Sequence, residues 1–132
     1  MPHRDSVPLT WRLQKHKYNI VGKKCHCGAL YFPPRALCSA CGSTITEDLM
    51  LSGDGEIISF TIIHTGPEKF EHHTPYGIAL IKLKEGPTIS AQVVDDPHKL
   101  AIGKKVRQVF RRNSEPCDDA HIKYGFKFEL VD

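Results

Sequence analysis

The chain has 132 residues, of which 40% are hydrophobic and 25% charged, and a formal net charge of +3. This is the composition of an ordinary globular protein with room for one modest core and a small appendage. No apolar run approaches the ~20 residues of a membrane-spanning helix, and so small a net charge does not by itself call for a nucleic-acid partner. Nothing at the N-terminus resembles a signal peptide, so the expected compartment is the cytoplasm.

Residues 8 to 18 read as a short helix. Pro8 opens it, and Leu9, Leu13 and His16 recur at helical spacing. Trp11 is the expected anchor that packs this helix on something else. Lys15, Lys17, Lys23 and Lys24 form a basic cluster that ordinarily makes a solvated face.

The next segment carries the strongest signal. Cys25-His26-Cys27-Gly28 is followed, with ten residues between Cys27 and Cys38, by Cys38-Ser39-Ala40-Cys41-Gly42. Two close cysteine pairs, each followed by glycine, resemble the knuckles of a zinc ribbon. Zinc takes four soft ligands at tetrahedral corners, and thiolates on two tight turns supply them. Glycine after each pair permits a positive φ, which lets backbone amides point at the sulfurs. Cys25, Cys27, Cys38 and Cys41 are the expected ligands, with His26 as a substitute; the alternative is a ribbon held by packing without metal. Five cysteines leave one over, which disfavours a disulfide framework. Between Ile20 and Ile45 turn residues outnumber periodic apolar ones, the situation that a structural metal resolves. Pro33-Pro34-Arg35 forces an extended excursion just after Tyr31 and Phe32. Tyr31, Phe32 and Arg35 are therefore expected on display for a partner.

From Glu47 onward the pattern is all β. Ile58, Phe60 and Ile62 alternate, with Ile57 and Ile63 marking a strand covered on both sides for part of its length. Gly77 to Leu83 and Thr88 to Val94 flank the turn Glu85-Gly86-Pro87. Asp96 is placed to cap a helical turn before Pro97. Val106 to Phe110 is a strand within a cationic segment that includes Lys104, Lys105, Arg107, Arg111 and Arg112. In the last strand Ile122, Tyr124, Phe126, Phe128 and Leu130 alternate against Lys123, Gly125, Lys127 and Glu129, with the aromatic face expected in the core. Short strands with a glycine inside the last suggest a small closed barrel. The loops Thr65–Tyr76 and Asn113–His121 are long enough to carry partner contacts.

Catalytic constellations are poor. Cys117 lies beside Asp118 and Asp119, which raise a thiol pKa. His72 and His73 are adjacent on a loop and point apart, so a partner contact suits them better than a shared metal. No Gly-rich phosphate loop is present.

Taken together, Tyr18-Asn19-Ile20-Val21-Gly22, the first cysteine pair, Tyr31-Phe32-Pro33-Pro34-Arg35 and Cys38-x-x-Cys41-Gly42 resemble the DUF35 proteins. The likeness continues through Gly55-Glu56-Ile57, Pro75-Tyr76-Gly77-Ile78-Ala79, Glu85-Gly86-Pro87 and Ile102-Gly103-Lys104-Lys105-Val106. It implies a mainly β chain with an N-terminal helix (1–19), a rubredoxin-like zinc ribbon (20–46) and a C-terminal OB-fold barrel (47–132). The family's ribbon cysteines fall on Cys25, Cys27, Cys38 and Cys41, although relatives usually show C-x-x-C where this chain has C-x-C. The resemblance further implies a non-catalytic accessory subunit in acyl-CoA metabolism. One archaeal branch holds acetoacetyl-CoA thiolase and HMG-CoA synthase of the mevalonate pathway in one complex, with a shared CoA site. The rival expectation, from the barrel alone, is a single-stranded nucleic-acid binder.

Overall fold

The computed structural model describes residues 6–113 and 122–131. Helix α1 (Val7–Tyr18) begins with Pro8 in its first turn, where a missing N–H costs nothing. Lys15, His16 and Lys17 occupy its last turn and complement the negative end of the helix dipole. No residue of α1 is fully buried.

Three short strands follow: β1 (Val21–Lys24), β2 (Leu30–Tyr31) and β3 (Glu47–Met50), in the antiparallel order β2-β1-β3. The sequence pattern placed Glu47 at the start of the barrel, but β3 pairs with β1, with Lys24 opposite Glu47 and Val21 opposite Met50. Burial explains the choice. Ile20 and Leu51, at one end of this ladder, join through the Leu51 amide and Ile20 carbonyl at 2.9 Å, and both side chains enter the barrel core. Gly22 is required here, since a Cβ on it would lie 2.6 Å from the Tyr31 carbonyl oxygen.

The remaining strands are β4 (Asp54–Ile63), β5 (Tyr76–Leu83), β6 (Thr88–Val93), β7 (Lys105–Arg112) and β8 (Tyr124–Leu130). They close in the order β4-β5-β6-β8-β7, with β6 and β8 parallel and the other pairs antiparallel. That order is the five-stranded OB barrel. Ile57, Ile81, Leu83, Val93, Val106 and Phe128 are almost wholly inaccessible at its centre. Full burial of each such side chain contributes about 1.5–3 kcal/mol.

Two details of the alternation differ from the sequence pattern. A register shift between Ile57 and Ser59 puts Ile57 opposite Ile81 and Phe60 opposite Ala79, both buried partners. Ile58 is the extra residue of that bulge and is 42% exposed, so the run Ile57-Ile58 does not mark a stretch covered on both sides. Of the aromatic residues on β8 only Phe128 is buried; Phe126 is half-buried and Tyr124 is exposed. Lys127, on the face expected in solvent, is buried. The end of α1 lies against β8, so close that a Cβ on Gly125 would stand 3.1 Å from the Lys17 carbonyl.

Candidate metal centre and docking surface

Each knuckle is a tight turn closed by backbone hydrogen bonds. In the first, the Cys25 amide donates to the Ala29 carbonyl at 2.8 Å and the Gly28 amide to the Cys25 carbonyl at 2.9 Å. In the second, the Cys38 amide donates to the Ser43 carbonyl and the Gly42 amide to the Cys38 carbonyl, both at 2.9 Å. Gly28 and Gly42 have φ of 95° and 73°, the left-handed conformation expected from their place after each pair. The single residue between Cys25 and Cys27 still brings both sulfurs to the centre.

The four sulfurs lie within 4.8 Å of one another, with Cys25 and Cys41 at 3.4 Å and Cys27 and Cys38 at 3.7 Å. Zinc–sulfur bonds of ~2.3 Å at tetrahedral angles separate sulfurs by ~3.8 Å, so the donor set fits a tetrahedral zinc. Among the described residues this is the only group of three or more His, Cys, Asp or Glu side chains placed to share an ion. His26 Nδ1 approaches Cys25 Sγ at 3.7 Å but does not join the set. Cys25 and Cys38 are buried and pack with Ile45, Ala29 and Tyr31 in a small cluster apart from the barrel core.

The thiols are differentiated by their surroundings. The Tyr31 hydroxyl, 3.3 Å from Cys38 Sγ, leads the contacts that hold the Cys38 thiol down at about 5, followed by the backbone amides of Cys41 and Ala40. The Ser43 hydroxyl and amide hold Cys41 below the usual thiol range. At Cys25 the Cys27 amide favours the thiolate, but burial and three neighbouring sulfurs outweigh it and push the thiol up to about 12. A dication among the sulfurs reverses that mutual repulsion and favours thiolate at every corner.

Tyr31, Phe32 and Arg35 are not displayed equally. The Tyr31 oxygen also accepts the Ser39 amide at 3.1 Å, tying the ring into the second knuckle. Phe32 is half-buried against the barrel, edge to face with Phe126 at 6.2 Å. Arg35 alone is exposed, its guanidinium 5.4 Å from the Tyr31 ring centroid. The helix offers more apolar surface than this excursion, because Trp11 is 71% exposed and Val7 63%. Trp11 therefore does not anchor α1 on this chain. That work falls to Tyr18, edge to face with Phe110 at 5.2 Å, and to Lys15, which pairs with Asp48.

Elsewhere the candidates disperse. His72 and His73 end a 3₁₀ turn, with the His73 ring beside Phe70. Asp96 caps as expected, accepting from the His98 amide at 3.0 Å, while Asp95 accepts from the Leu130 amide. Arg107 pairs with Glu129 at 2.6 Å and Arg111 lies 3.8 Å from the same carboxylate. Cys117, with Asp118 and Asp119, lies outside the described residues. The feature that sequence reasoning missed is Lys127, hidden because alternation alone assigned it to solvent.

Comparison with known proteins places these parts. Residues 17–47 match the family model described as the ChsH2 rubredoxin-like zinc ribbon domain, and residues 50–111 match the ChsH2 C-terminal OB-fold domain. A DUF35 domain-containing scaffold protein of Methanocaldococcus jannaschii is 41% identical, over 98% of this chain and 94% of its own. A probable enoyl-CoA hydratase alpha subunit of Thermomonospora curvata is 31% identical over 79% of this chain, a match that spans 32% of that subunit. The solved structure of the Ltp2-ChsH2(DUF35) aldolase superposes with a TM-score of 0.71 at 26% identity, covering 96% of this chain and 94% of that one.

Proposed function

The chain belongs to the DUF35 family, and we propose that it is a non-catalytic scaffold subunit bridging an acetoacetyl-CoA thiolase and an HMG-CoA synthase in the cytoplasm. The observation that carries this reading is the condition of α1. Val7 and Trp11 form one apolar pair at i, i+4 spacing, and Leu9 and Leu13 another, about 200° around the helix. All four are exposed. A 12-residue helix is marginal alone. One with apolar stripes on opposite sides is suited to being covered from both. Names of relatives support the reading: one is a scaffold protein, and another is a subunit matched to acyl-CoA chemistry.

Within this proposal the three segments divide the work. Residues 1–19 and the exposed Arg35 dock on one enzyme, with Tyr31 and Phe32 holding Arg35 in place. Residues 20–46 hold a structural zinc through Cys25, Cys27, Cys38 and Cys41, which fixes the excursion that presents Arg35. Residues 47–132 face the second enzyme, beside a CoA site the two enzymes share. The bound zinc supplies cross-linking and no chemistry at substrate. The test is to mix the purified chain with both enzymes and follow co-elution. The chain alone should show no turnover and the mixture one assembly containing all three; two enzymes that elute without the chain would refute the bridge.

One observation favours a second reading, a single-strand binder. Phe110 and Tyr124 stack at 5.5 Å and are exposed, a platform of the type that carries bases. Against it, Arg107 and Arg111 of the basic strand already face Glu129. Binding of a mixed-sequence oligonucleotide that weakens steeply with salt would favour this reading.

A further inference from the structure

We propose that the cleft between the end of α1, β6 and β8 is a binding site for a phosphate-bearing small molecule, with Lys127 as its central cation. The proposal does not rest on the scaffold reading. Lys127 is only 6% exposed, and among the described residues it has neither a hydrogen-bond partner nor an ion-pair partner. Its stem is enclosed while the ammonium opens onto the cleft, where partial desolvation without a counter-charge is costly. Burial holds this lysine below its ordinary pKa. An anion entering the cleft reverses both effects.

The surroundings supply the rest of such a site. The cleft has a volume of about 560 Å³, within the range of small-molecule sites and far larger than a single carboxylate side chain needs. His16 and Lys17 reach it from α1, and Lys123 from the segment entering β8. Among the described residues that line it there is no Asp or Glu. Gln92 and Asn113 add neutral amide donors. Several lysines around one space suit a multiply charged phosphate, which lysine binds as a point charge. Lys127 also borders the adjoining cleft, where Arg111 and Arg112 lie. Asp95, the carboxylate there, is engaged by the Leu130 amide. Arg111 is shared there with Glu129 and Asp95 keeps its charge, so the cationic character is concentrated in the first cleft, around Lys127, Lys17 and Lys123.

The test uses the full chain with pyrophosphate as probe, at constant ionic strength with potassium chloride as control. Calorimetry should show saturable binding, and the melting temperature should rise with pyrophosphate but not with chloride. Lys127→Met should weaken binding about ten- to a hundredfold, the scale of one charge-assisted hydrogen bond. Lys84→Met, outside the cleft, should leave it unchanged. No saturable response, or equal affinity in Lys127→Met, would overturn the proposal. Should Lys127→Met fail to fold, Lys17→Gln at the exposed end of α1 gives the same reading: a severalfold loss supports the site and an unchanged affinity overturns it. A single-stranded oligonucleotide that binds where pyrophosphate does not would also overturn it, by assigning the cleft to a polymer backbone.

Discussion

The hydroxyl of Tyr31 stands 3.3 Å from the sulfur of Cys38. The same ring carries the Arg35 guanidinium on its face, so one side chain joins the metal centre to the exposed tip of the excursion. A hydrogen bond to a ligating sulfur orients it and stabilises its negative charge. Tyr31→Phe should keep the fold but release zinc to a chelator about tenfold faster or more. A chelator competition followed by absorbance checks this; an unchanged rate would mean the hydroxyl serves only Ser39.

Loss of a ligand should act locally. The ribbon's cluster is centred on Cys25, Cys38 and Ile45, too little apolar surface to hold residues 25–46 alone. Cys38→Ser should abolish stoichiometric zinc and raise amide exchange in that segment. The barrel strands should remain protected, because most of their core, including Ile57, Ile81, Val93, Val106 and Phe128, comes from β4 to β8 themselves.

Docking and folding contributions should separate cleanly. Trp11→Ala and Arg35→Ala alter exposed side chains, so stability should change by no more than about 0.5 kcal/mol. Each should weaken enzyme capture by ~2 kcal/mol if it is central to an interface. Phe32→Ala should instead destabilise the chain by about 1–3 kcal/mol, since its ring packs on Phe126 and the barrel core. Thermal melts beside pull-downs distinguish the two outcomes.

Asp48 gives the fold a pH dependence whose sign is fixed. Lys15, then Lys23, hold its carboxyl below the usual carboxylate range. A depressed folded pKa contributes stability above the unfolded value of about 3.9 and loses it as pH falls through the folded value. The contribution is small because the groups are exposed. Asp48→Asn should loosen α1 at neutral pH, and the difference from the parent chain should vanish in acid below that range. Exchange at the α1 amides, measured at both pH values, reports it.

Much of this architecture is legible in the residues. Pro8 marks the start of α1, the paired cysteines mark the knuckles, and alternation marks β5 and β8. What escapes is whatever depends on partners distant in sequence. The Ile58 bulge is invisible because Ile57 and Ile58 are equally apolar, and only Ile81 and Ala79 opposite decide which faces inward. Tyr31 reads as a display residue until Cys38 and Ser39 fold back upon its hydroxyl. Lys127 reads as solvated because the end of α1, which packs on β8 beside it at Gly125, lies more than a hundred residues earlier.

Lys24 and Glu47 stand opposite each other on β1 and β3. The chain thus leaves that ladder and rejoins it at one point, and residues 25–46 are topologically a long hairpin connection. A turn of two to four residues spans such a gap. The metal-bearing segment is in this sense a cassette: it can be exchanged for another module without re-routing the helix or the barrel. A lineage, or an engineer, can therefore change what is presented at this end while the remaining surfaces keep their partners.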